Sequence, residues 1–143
     1  MLTQNDKQFL ANFETLKLTP ATFDHKAHLR LAFLCIVQDG LDPAVERVGR
    51  SIRAFAEHLG AHDKYHQTIT EALMRVIGLR LVQQPVTDWQ RFLVLNPDLV
   101  DQAKEVLLYY YSPERLFSDE ARTRFLEPDR HPLEATVCTP LDR

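Results

Sequence analysis

The chain has 143 residues, a length that one domain accommodates and that buries roughly two-thirds of its unfolded surface without disulfide or metal staples. Its 45% hydrophobic and 26% charged residues exclude disordered and fibrous classes. Seventeen basic residues against 20 acidic ones leave a net charge of −3, so neither nucleic acid nor an anionic membrane is an expected partner, and a small molecule or a protein is.

Two cysteines, Cys35 and Cys138, are too few for a disulfide framework, and a reducing cytoplasm is the expected location. Asp6 and Lys7 interrupt any leader-like apolar run near the start, and no apolar stretch reaches the 18 residues of a membrane span.

Taken in order, Phe9, Phe13 and Leu16 recur at helical spacing and predict a first helix from about Asn5 to Leu16. Thr19-Pro20 interrupts it, and a second helix follows to about Gln38, closed by Asp39-Gly40. Asp42-Pro43 has the form of a cap with proline at the first helical position. Val45, Val48, Ile52, Phe55 and Leu59 then form the apolar stripe of a third helix, Pro43 to Leu59, whose arginines Arg47, Arg50 and Arg53 alternate with glutamates as a solvated face.

A fourth helix is predicted from Tyr65 to Gln83, with His66, Ile69, Thr70, Leu73, Ile77 and Leu81 on one side. Thr87-Asp88-Trp89-Gln90 has capping-box form and opens a short helix. Asn96-Pro97-Asp98 starts another that runs into Tyr109-Tyr110-Tyr111, and Ser112-Pro113-Glu114 and Ser118-Asp119-Glu120 open two further turns. Beyond Glu127, Pro128, Asp129, Pro132 and Pro140 predict an extended tail packed on the body. No segment alternates with strand period, so the expected fold is all-α: a single-domain helical bundle over residues 1–143, with about four main helices.

The chemistry concentrates at His25 and His28. At i and i+3 they share a helix face with Leu29, Ala32, Cys35 and Ile36, which turns both imidazoles toward the core. Short connections favour antiparallel neighbours, so helices two and four are expected to be parallel, and His66, which opens the buried stripe of helix four, would arrive at the same end. Three inward histidines suit a divalent transition metal, zinc, iron or copper, and leave open positions for water or substrate. Asp24, Asp63, Tyr65, His131 and Asp129 are candidate fourth ligands. Thr70, one turn after His66, would orient a ligand, and Arg30 or Arg115 would hold an anionic substrate group. His58 and His62 read as surface residues.

Two functions follow as expectations. The first is a metal-dependent enzyme acting on a small molecule, hydrolytic, lyase-type or oxygen-using, with His25, His28 and His66 as ligands. The second is a helical binding module whose core histidines are structural and whose Trp89 and Tyr109 to Tyr111 region meets a partner.

The stretches Phe23 to Ala32, Tyr65 to Thr70 and Tyr110 to Ser118 resemble a group of small bacterial proteins of unassigned function, and the resemblance implies no mechanism. The arrangement is similar in architecture to the DinB-like helical bundles, which hold a metal through three histidines at a different spacing.

Overall fold

A computed structural model describes residues 2–15, 24–60 and 65–133. Thr19-Pro20, His62, Asp63, Cys138 and Pro140 lie outside the described residues. Within them the chain is all-α, with no strand. The first four helices are α1 (Gln4–Glu14), α2 (His25–Asp39), α3 (Leu41–His58) and α4 (Gln67–Gln83). Five short ones follow: α5 (Trp89–Leu95), α6 (Pro97–Asp101), α7 (Ala103–Tyr110), α8 (Pro113–Leu116) and α9 (Asp119–Thr123).

Polar residues at helix starts decide where the elements begin. Thr3 and Asp6 form a reciprocal capping box on α1, and Asp24, Asp88, Ser112 and Ser118 each accept an amide from the first turn of the helix they open. The cap of α5 is therefore Asp88, one residue later than the capping-box form at Thr87 predicts. Asp42 is not a cap either. Gly40 serves both helices, closing α2 and preceding α3 at φ 88°, ψ 166°, so that Asp42 and Pro43 fall inside the first turn of α3. The helix expected to run unbroken from Pro97 to the tyrosines breaks at Gln102, giving α6 and α7.

The core is shared by α2, α3 and α4, which pack on one another, with α5 to α7 closing one side and α9 covering part of α4. Leu31 to Cys35 are wholly or almost wholly buried, because α2 is enclosed on several faces instead of along one stripe. Phe33 packs against Trp89 and Phe92 at ring-centroid distances of 5.6 and 4.8 Å. Phe13 of α1 meets Phe55 of α3 at 5.5 Å. Such aromatic pairs add about 0.5–1.5 kcal/mol beyond the area they bury.

Polar ties reinforce the packing. Arg47, read from sequence as part of a solvated face, bonds Glu14 of α1 and Gln38 and Asp39 of α2. Arg80 of α4 grips the Asp98 carboxylate through both Nη atoms, at 3.0 and 2.8 Å, and also reaches Asn96. Asn96 spends its amide on Phe92 O, so Pro97 starts α6 without a side-chain cap. Among the described residues no helix is long and apolar enough to cross a membrane.

Candidate functional site

The three histidines have distinct local roles. His25 is the first residue of α2 and is exposed. Its Nε2 donates to the Leu99 carbonyl of α6 at 2.9 Å. His28, one turn on, is half-buried; burial pushes its pKa down to about 4, and the neighbouring charge of His25 pushes the same way.

His66 is not the first member of a buried stripe but the N-cap of α4. Its Nδ1 accepts the Ile69 amide at 3.1 Å, and its Nε2 donates to the Leu116 carbonyl at 3.0 Å. Both ring nitrogens are thus engaged by the backbone in one neutral tautomer. Burial lowers its pKa first of all, against the contrary pull of the Leu116 carbonyl, with Arg122 lowering it further. Among the described residues no three His, Cys, Asp or Glu side chains are grouped so that they could hold a metal. The physical reason lies at the helix ends. A histidine just before or within the first turn meets unsatisfied amides and neighbouring carbonyls, which compete with a metal for its nitrogens.

The other candidates are similarly occupied. Asp24 caps α2 through the Ala27 amide. Tyr65 donates its hydroxyl to Gln67 at 2.7 Å and lies under the Arg53 guanidinium. Asp129 accepts both the amide and the hydroxyl of Ser112, at 2.7 and 2.6 Å, and His131 stacks on Tyr109 with ring centroids 4.1 Å apart. Thr70 is buried in α4, and Arg115 donates from Nε to the Glu127 carbonyl, which makes it a tie between α8 and the C-terminal segment. His58 ends α3 and is exposed, as its sequence position suggests. Cys35 is a buried thiol, pushed up to about 11 mainly by that burial.

Arg30 stands differently. Its Nη2 donates to Asp6 at 2.8 Å and its guanidinium lies 4.6 Å from the Phe9 ring centroid, but its buried Nε has no hydrogen-bond partner among the described residues. It forms part of the wall of a cleft of about 380 Å³ between α1, the start of α2 and the start of α5, together with Phe9, Asp24, Lys26, Trp89 and Gln90. A second hollow of about 220 Å³ adjoins through Arg30, Trp89 and Gln90 and adds Asp6 and Asp88. Concave surface, aromatic walls and a few fixed polar groups come together here, as small-molecule sites require.

Two groups of residues carry more structure than their sequence positions suggest. Thr68, fully buried, donates its hydroxyl to Arg124 O at 2.8 Å and accepts the Leu126 amide at 3.1 Å. Tyr111, also buried, donates to Leu126 O at 2.7 Å, and burial above all pushes its pKa upward. With Ser112–Asp129 and the Arg130 amide on Tyr110 O, they clasp the extended segment after α9 against α4 and α7.

Compared with known proteins, the chain matches no family model, no curated protein and no solved structure.

Proposed function

We propose that this chain is a helical binding module whose histidines hold its frame and whose ligand is a small molecule taken into the cleft between α1, α2 and α5. The carrying observation is the use of His66: one ring nitrogen caps α4 and the other reaches Leu116, so ligating an ion would break a bond to the backbone. His25 is tied through Nε2 to Leu99 O, a bond that joins the start of α2 to α6. A metal site that includes His66 needs one of its two ring nitrogens free. A buried, unionised Cys35 fits a reducing, cytoplasmic setting, and the net charge of −3 disfavours nucleic acid as the partner.

Elemental analysis of untagged protein, beside a His66→Ala variant, tests the reading. The expected result is metal well below one ion per chain in both, and a thermal midpoint at neutral pH that chelator leaves in place. A stoichiometric ion in the wild type, lost in the variant, would overturn it and restore the metal-dependent enzyme.

A further inference from the structure

We propose that the cleft binds a zwitterion, a small molecule carrying a carboxylate and an ammonium group on an apolar body, as free amino acids and dipeptides do. The proposal rests on the binding-module reading and adds the chemistry of the ligand.

The charges lining the two hollows are of opposite balance. The larger sets Lys26 and Arg30 against Asp24. The smaller sets Asp6 and Asp88 against Arg30. A ligand with one sign of charge meets attraction in one hollow and repulsion in the other, whereas a zwitterion lying across both meets attraction at each end.

The hydrogen bonds already made in the cleft say which groups remain for a ligand. Asp6 spends Oδ2 on the Thr3 amide and Oδ1 on Arg30. Among the described residues Asp88 spends only Oδ2, on the Arg91 amide, which leaves its other oxygen for an ammonium. Arg30, which lines both hollows, uses one of its five N–H donors on Asp6, and Lys26 adds a compact cation in the larger one. Phe9 supplies apolar wall to the larger hollow and Trp89 to both, and the Gln90 amide also borders both. Together the hollows offer room for an amino acid or a dipeptide.

Trp89 is the chain's one tryptophan and borders both hollows, so its emission reports on the cleft directly. The experiment titrates the full chain with L-phenylalanine and glycyl-L-phenylalanine, and with 3-phenylpropionate and phenethylamine, which keep the aromatic body but lack the ammonium or the carboxylate. The expected result is a saturable change in emission with at least one zwitterion, the tighter of the two telling amino acid from dipeptide, and binding about tenfold or more weaker for both singly charged compounds. Lys26→Gln, at an exposed position, and Asp88→Asn, which keeps a capping side chain, should each weaken zwitterion binding by about tenfold while thermal melts confirm an intact fold. If 3-phenylpropionate or phenethylamine binds as tightly as the zwitterions, the cleft is a binding site of another class: the zwitterion proposal falls and the module reading stands. If none of the four compounds moves the emission, or if both variants bind phenylalanine as the wild type does, the proposal is overturned, while the module reading is still decided by the metal analysis.

Discussion

His66 joins the start of α4 to the Leu116 carbonyl fifty residues further along the chain, 3.0 Å from Nε2, while Nδ1 of the same ring caps the helix it precedes. One side chain thereby holds two elements in register. His66→Ala removes both bonds, and a cap plus a partly buried hydrogen bond together predict a loss of about 2–3 kcal/mol. His66→Asn keeps the cap and gives up the longer reach, so it should cost about half as much. Urea unfolding of the three proteins checks the order, and a midpoint for His66→Ala equal to the wild type would refute the fastening role.

The imidazoles also set how stability depends on pH. His28 titrates in the folded chain at about 4, below the usual value of 6.5, and His66 is lowered as well. The unfolded chain therefore binds more protons than the folded one between those values. The stabilisation is complete above about 6.5 and is lost progressively as pH falls toward 4. For His28 the loss amounts to at most roughly 3 kcal/mol. Denaturant midpoints from pH 7 to 4.5 should fall in the wild type and fall distinctly less in His28→Gln, which has no proton to gain there. Equal slopes would remove His28 as the cause.

Much of the architecture is legible in the residues themselves. The stripe Val48, Ile52 and Phe55 and the Ser-Pro and Asn-Pro starts of the short helices mark their elements because local periodicity and fixed proline angles act within a few residues. The candidate site is less so. His66 has the spacing of a buried stripe, but the unsatisfied amides at a helix start recruit it as a cap, and its second partner lies fifty residues away, beyond any periodicity. Arg30 is visible as a cation facing away from the apolar stripe of α2. That this face closes a cleft with Phe9 and Trp89 depends on where α1 and α5 dock, which the α2 sequence alone does not encode.

Thr68 offers a sharper test of the C-terminal clasp. Its hydroxyl is both donor to Arg124 O and acceptor from the Leu126 amide, with the side chain wholly buried. Thr68→Val preserves shape but leaves those two backbone groups without their partner, at a cost of about 1–3 kcal/mol. Thr68→Ser keeps the hydroxyl and loses one methyl, worth about 1 kcal/mol. Amide exchange reads the site directly: the Leu126 amide should exchange faster in the valine variant than in the serine variant, and the reverse order would disprove the hydroxyl's role.

The joint between α2 and α3 is a single residue, Gly40, at φ 88° and ψ 166°. This backbone region is essentially confined to glycine, since a Cβ there strains its own main chain by about 1–3 kcal/mol. Apart from its two chain neighbours, no atom of the described residues stands within 4 Å of the position a Cβ would take, so their packing adds nothing to that cost. Gly40→Ala should therefore destabilise by the backbone strain alone. Asparagine, which tolerates ordinary left-handed turns, should bring little relief, because ψ 166° lies far from the left-handed helical basin near ψ 47°. The strain bears on the reversal that packs α2 against α3, so the loss should appear in global unfolding and not as local fraying. Denaturant unfolding followed together by far-ultraviolet circular dichroism and by Trp89 emission checks this: coincident transitions shifted to lower denaturant in both variants are expected, and an alanine variant as stable as the wild type would show that the joint relaxes without cost.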